Sequence, residues 1–342
     1  MNLLIGSVSG AIKRSPNVLG KWFQPDSFYF ANTLEDSKLN EVDVFIQTNL
    51  LKLKFFNSSK LDYYKFIAQS NKPKLVLESP MFRSVSRNSH KIGLLRLGWN
   101  SYQYHEGDFN NKNSDQKRWR FLQEKYKINR CDWKVNGEYI LLLLQKPGDS
   151  SLNSIHLELG YKKYWDWVDD TVSEIRKRSD RKIIIRPHIN GQKNSIERCS
   201  KISKKYKNCS VSKNYKWIPD YGPCGGSGLQ KDLEDAWCAI TYNSLSGVEA
   251  VLSGTPLITL HQGSMCWPVA HHSLDNIENL DRSINIDQWL YDSAYTTWTH
   301  EEFLSGKVWE HLKPRYEYWK NQAVISTNKF NKELEQWKNL LQ

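Results

Sequence analysis

Short apolar runs, each closing in a polar or glycine-containing turn and separated from the next by helical periodicity, dominate the first third of this chain. Leu3–Ile5, Val42–Ile46 and Leu75–Leu77 are such runs, and Ser59–Gln69 is an intervening helical stretch. Runs of this length without polar alternation are the mark of strands buried on both faces of a parallel sheet. Strands alternating with helices build an α/β layer. The pattern starts again with the strand Tyr139–Leu144, a helix from about Tyr161 to Arg178, and the strands Lys182–Ile185, Ala239–Tyr242 and Leu257–Leu260. Two such series in 342 residues, at roughly 150 residues per domain, predict two domains with a boundary near 125–137.

Between the series, residues 101–120 lose apolar periodicity and fill with Asn, Asp, Lys and Gly, which predicts a long surface loop, with an acceptor-binding flap as the functional alternative. After Asp287 the chain becomes Trp- and charge-rich. Trp319, Phe330, Leu334, Trp337 and Leu341 recur at near-helical spacing, so a last helix packs one face on a domain. The expected division is 1–130, 131–300 and a helical segment 301–342.

Lys and Arg number 48 against 37 Asp and Glu, a net charge of +11, which attracts polyanions: nucleic acid, anionic glycan or nucleotide phosphate. A biased Lys-rich composition produces the same excess. The six cysteines form no C-x-x-C pair, which argues against a zinc ribbon or a disulfide framework and for reduced thiols. The opening MNLLIG reads as a first buried strand instead of a signal peptide. The longest apolar run, Tyr139–Leu144, falls far short of the roughly 20 residues of a membrane helix. A soluble cytoplasmic protein without an integral membrane segment is the expectation.

Ligands of open α/β sheets sit at the carboxyl ends of strands, so the residues that follow each run are the candidates. The richest block is Asp235–Ile258: a strand, the turn Asn243-Ser244, a helix opening near Leu245 with Ser246, Gly247 and Glu249 in its first turns, and a Gly254-x-Pro256 turn. Small residues there let backbone N–H groups approach a phosphate at the positive end of the helix, and Glu249 can reach a ribose hydroxyl pair. The structural alternative is that Asn243 and Ser244 cap the helix. Two other strands run into Gln145-Lys146-Pro147-Gly148-Asp149-Ser150 and Arg186-Pro187-His188.

These three segments resemble the N-S/T-x-x-G-x-E-A plus G-x-P, Q-x-P-G-D-S and R-P-H motifs of GT-B glycosyltransferases, most closely the branch of capsule-polysaccharide and bacteriophage transferases. The resemblance covers about 139–260, with weaker similarity at Trp298–Glu302, Gly306 and Trp309, and in the first half only the turn Gly93–Asn100. It implies two Rossmann-like domains facing a cleft, a sugar nucleotide held by the C-terminal domain, and a final helix returning to the first. It also implies a nucleotide-sugar co-substrate, with a UDP-sugar first, and no obligatory cofactor. The chain contains no D-x-D triplet, so Mg2+ is optional and no metal site is expected; Asp169-Asp170 is expected to face water.

Glycosyl transfer needs the departing phosphate neutralised and the acceptor hydroxyl deprotonated. Arg186, His188 and Lys146 supply charge, and Gln145, Asp149 and Ser227 supply polar contacts to the donor, with Asn243, Ser244, Ser246, Gly247 and Glu249. Glu78, directly after the strand Leu75–Leu77, is the expected base and, with Arg186, the catalytic pair; its alternative is an ion pair with Arg83 or Arg87, and Asp43 and His90 follow it. Arg83, Arg87 and Lys91 are expected to bind an anionic acceptor. The glycine-rich Pro223–Gly228 lacks a G-K-[ST] ending and reads as a turn before a helix Leu229–Trp237. His271-His272 makes a poor metal pair, and Lys193–Lys216 reads as a solvated helix face.

The expected acceptor is double-stranded DNA carrying 5-hydroxymethylpyrimidine, as in phage DNA-modifying transferases, since the positive charge and the aromatic content suit a phosphate backbone and an extruded base. The alternative is a capsule or lipopolysaccharide glycan. A non-catalytic nucleotide- or nucleic-acid-binding protein and a nucleotide-sugar epimerase are the other readings, because fold does not fix reaction.

Overall fold

The computed structural model describes residues 1–12, 15–52, 56–82, 94–188, 193–215 and 228–341. They fall into two compact units, one of Met1–Pro80, Ser89–Ser114 and Asp292–Gln342, the other of Met81–Asn88 and Asp115–Tyr291. Each is an α/β unit on its own sheet, as the alternating pattern predicts.

The first unit carries β1 (Leu4–Val8), β2 (Ser27–Ala31), β3 (Val44–Thr48), β4 (Lys74–Glu78), β5 (Leu95–Trp99) and β11 (Thr297–Trp298) in the order β11-β5-β4-β3-β1-β2. β1 to β4 run parallel, while β5 and β11 are antiparallel to their neighbours. The turn expected at Gly93–Asn100 is therefore strand over 95–99. Gly98 is there for a close approach: a Cβ at that position would lie 2.4 Å from the ring of Phe109.

Phe109 belongs to the expected loop, which is fastened to its own unit. Asn110 Nδ2 donates to His311 O at 2.7 Å and Ser114 N to Asp292 Oδ1 at 2.7 Å. The helix Lys117–Tyr126 begins within the stretch expected to be loop and runs past its end at Arg120; it buries Trp119 and Leu122 and groups with the second unit. The chain accordingly changes unit at 114/115 and returns at 292, where Trp298 joins the core of Trp22, Trp99, Phe303 and Trp309. Asp26, wholly buried, ties this core together: it accepts from Leu3 N at 2.9 Å, Trp309 Nε1 at 2.6 Å and Lys313 Nζ at 2.7 Å. The last helix, Tyr316–Leu341, returns to the first unit as expected, and Thr327 Oγ1 donates to Ala68 O at 2.9 Å.

The second unit carries β6 (Tyr139–Leu143), β7 (Lys182–Arg186), β8 (Cys209–Val211), β9 (Ala236–Thr241) and β10 (Leu257–Thr259), all parallel, in the order β10-β9-β6-β7-β8. Central β6 is buried at every residue, as a strand covered on both faces must be. The helix Tyr164–Arg178 buries Tyr164, Trp167, Val168, Thr171, Val172 and Ile175, and Arg176, Lys177 and Arg178 complement the carbonyl end of its dipole. Burial pushes the Cys199 thiol up to about 12, consistent with an unreactive thiol.

Helix Lys193–Ser203 is shorter than the expected Lys193–Lys216, because β8 follows it. Helix Leu229–Glu234 likewise stops before β9 begins at Ala236. Asp169, expected in water, pairs with Lys205 and accepts from Tyr206 OH at 3.1 Å. Among the described residues no helix is long and apolar enough to cross a membrane.

Candidate functional site

From β6 the chain steps outward through β7 to β8, then jumps back across to β9 and β10. The direction reverses between β6 and β9, the topological switch point at whose carboxyl end α/β sheets hold ligands. Gln145 lies two residues past the end of β6 and Asn243 two past the end of β9, and their side chains meet there. Gln145 Nε2 donates to Asn243 Oδ1 at 2.6 Å and to Ser151 Oγ at 2.8 Å. Asn243 Nδ2 donates to Ser151 O at 2.8 Å and lies 3.4 Å from His261 Nδ1. Each amide hydrogen thus has a protein acceptor, so this pair joins the two strand ends and holds the 149–152 turn against them. Asp149 starts that turn, its Oδ1 accepting from Ser151 N at 3.2 Å and Ser151 Oγ at 3.0 Å.

Arg186 ends β7 and is buried, with its guanidinium bound to the Asp232 carboxylate; the two side chains are 6% and 3% exposed. Ser212 Oγ donates to the same carboxylate at 2.6 Å and Asn214 Nδ2 at 2.9 Å. Burial pulls the Arg186 pKa down, and Asp232 and Glu249 oppose that pull. Arg186 thus forms a buried ion pair with Asp232, at a position where the sequence suggested a cation for a leaving phosphate. Glu249 is buried beside this cluster and accepts from Gln230 Nε2 at 3.3 Å.

The helix expected near Leu245 spans Ser246–Leu252. Ser244 Oγ accepts from Ser246 N at 3.2 Å, and Gly247 N donates to Ser244 O at 3.0 Å. These N–H groups, expected to cradle a phosphate, are turned to the chain's own acceptors. Gly247 faces Leu257 and Cys266, so its missing side chain admits these neighbours at close range. Asn243 does not cap the helix, because its amide is engaged with Gln145 and Ser151.

Lys146 is exposed at the tip of the turn after β6, and His188 is half-buried beyond β7. Ser227, Arg83, Arg87, Lys91 and His90 lie outside the described residues. Glu78 closes β4 at the carboxyl edge of the first unit's sheet, where its Oε1 accepts from Ser79 N at 2.7 Å. Opposite it on β5 stands Arg96, a buried arginine that the sequence reasoning passed over. Asp43 is removed from contention as a base, since it precedes β3 at the amino edge and accepts from Leu4 N at 2.8 Å. His271 and His272 turn to different partners, Asp281 O and Trp267 O.

No family model matches the sequence, and no curated protein matches it. Solved structures do. The chain is similar to Thermosulfurimonas dismutans KpsC, beta Kdo 2,7 transferase, at 12% identity and a TM-score of 0.48, over 90% of this chain and 99% of that one. Its likeness to Thermosulfurimonas dismutans KpsC, beta Kdo 2,4 transferase, has the same identity and TM-score over 87% and 92%. UDP-GlcNAc 2-epimerase from Methanocaldococcus jannaschii is similar at 11% identity and a TM-score of 0.30, over 86% and 98%.

Three residues at this carboxyl edge escaped the sequence reasoning. Asp232 lies in a short helix with no motif around it, and only its distant partner reveals it. Ser151 adjoins the Q-x-P-G-D-S segment. His261 follows β10, and the rule that strand ends carry ligands, applied to Leu257–Leu260, would have found it.

Proposed function

We propose that this chain is a glycosyltransferase that takes a sugar from a nucleotide-sugar donor bound at the carboxyl edge of the second unit's sheet. The observation that carries this is the meeting of Gln145 and Asn243, from two separate motif segments, at the β6/β9 switch point. The third segment, Arg186–His188, starts on the last residue of the adjacent strand β7 and continues past it.

In this proposal the charge offered to the leaving phosphate falls to Lys146 and His188, while Arg186 and Asp232 together stiffen the edge. Glu249 holds the ribose, and Glu78, at the carboxyl edge of the other sheet, takes the acceptor proton. For the acceptor we favour a capsule- or lipopolysaccharide-type glycan over hydroxymethylated DNA. The DNA expectation rested on net charge, aromatic content and the phage members of the branch that the motifs resemble; an anionic glycan satisfies the charge equally, and the same branch includes capsule transferases.

The test is nucleotide release from UDP-glucose, UDP-N-acetylglucosamine, GDP-mannose, ADP-glucose and CMP-Kdo, each with an acidic oligosaccharide, unmodified DNA and 5-hydroxymethylcytosine DNA, followed by product mass. Glycan-dependent release with a sugar-mass increment is expected, and Glu249→Ala should weaken donor binding. A mass increment on hydroxymethylated DNA would restore the DNA acceptor. Neither binding nor release with any donor would overturn the proposal.

A further inference from the structure

His261 is buried, stacked on Tyr242 at 4.8 Å between ring centroids, and set at the carboxyl end of β10 beside the Gln145–Asn243 pair. Its two ring nitrogens meet opposite chemistry. Nδ1 lies 3.0 Å from Gly263 N, which donates to it, and 3.4 Å from Asn243 Nδ2. Nε2 lies 3.4 Å from Glu158 Oε2. A backbone N–H can only donate, so Nδ1 must be the bare acceptor and Nε2 must carry the hydrogen toward Glu158.

That tautomer acts with Ser151 O, which accepts from Asn243 Nδ2 at 2.8 Å, on the orientation of a neighbour. With Nδ1 accepting, Asn243 presents Nδ2 to the imidazole and Oδ1 to Gln145 Nε2. With Nδ1 protonated, Asn243 would have to turn its oxygen toward His261 and its NH2 toward the NH2 of Gln145, and the link across the switch point would be lost.

We propose that His261 is a positioning residue for a nucleotide-sugar donor: its bare Nδ1, together with Ser151 O, holds the Asn243 carboxamide with Oδ1 toward Gln145 at the β6/β9 crevice. This rests on the donor site proposed above.

The discriminating variants are His261→Asn and His261→Gln. Both remove the ring from Tyr242, so any packing loss is shared. Asn places an acceptor oxygen near the Nδ1 position and can take the Gly263 N–H as an Asx turn does; Gln reaches the Nε2 position instead. Titration calorimetry of each protein with the five donor nucleotide sugars named above, together with 15N NMR of the wild-type imidazoles, reads the outcome. Expected are Nδ1-bare, Nε2-protonated signals for His261, donor affinity in His261→Asn close to wild type, and affinity in His261→Gln weakened about three- to tenfold, the net worth of one hydrogen bond.

Equal affinity in the two variants, or a protonated Nδ1, would overturn the inference while leaving the donor site standing. Wild-type protein that binds none of the five probes would overturn the donor site, and this inference with it.

Discussion

Replacing Asp232 by Ala tests whether the carboxyl edge of the second unit is held by a buried charge. The carboxylate collects the Arg186 guanidinium, Ser212 Oγ at 2.6 Å and Asn214 Nδ2 at 2.9 Å, with Arg186 itself 6% exposed. Alanine leaves a cation out of water without its counter-charge and deprives two neutral donors of an acceptor. Removing one partner of a buried pair costs about 3–5 kcal/mol, a large share of the ~5–15 kcal/mol that holds a typical domain. The cost comes from the stranded charge, so Arg186→Met combined with Asp232→Leu should be much less destabilising than Asp232→Ala alone, although it deletes more contacts. Native-state hydrogen exchange at the β6 and β7 amides measures the opening free energy of this unit without assuming that the whole chain unfolds in one step. A loss below about 1 kcal/mol for Asp232→Ala, or a double variant as unstable as the single one, would refute the reasoning and return Arg186 to the pool of cations available to a ligand.

In the first unit, burial raises the Asp26 pKa, but Lys313, the Leu3 N–H and Trp309 outweigh it and hold the carboxyl below its ordinary value. A depressed folded-state pKa gives stability that is complete above the unfolded value, about 3.9, and is lost as pH falls through the folded one. Asp26→Asn should therefore lower the melting temperature at neutral pH, with the gap to wild type closing in acid; a gap independent of pH would contradict this. Gly98→Ala puts a Cβ 2.4 Å from Phe109 and should cost about 1–3 kcal/mol as overpacking, read by urea denaturation, with Phe109→Ala relieving the clash. Glu78→Gln should keep donor affinity by calorimetry and lose turnover; an active variant eliminates Glu78 as the base.

The elements legible in the sequence were those whose burial writes a local pattern. β1, β3 and β4, the all-buried β6, and the helix to Arg178 showed as runs or stripes because a sheet covered on both faces demands continuous apolar sequence. The strands passed over, β2, β8 and β11, all lie at sheet edges and are only two to five residues long. Leu95–Trp99 lies in the segment that the resemblance read as a turn around Gly98, while the residue that calls for that glycine, Phe109, lies eleven residues further on.

The candidate site divides in the same way. Sequence by itself determined which residues follow each strand, and so put Gln145, Arg186 and Asn243 at carboxyl ends and Glu249 in the helix after Asn243, because strand and turn propensities are local. Only tertiary structure decided that β9 lies beside β6, so that Gln145 reaches Asn243, that Arg186 pairs with Asp232, and that His261 and Ser151 meet the Asn243 amide. Periodicity says that a face is buried but not against what. The order of parallel strands and the partner of a buried charge depend on chain crossovers tens of residues long, and no local pattern records them.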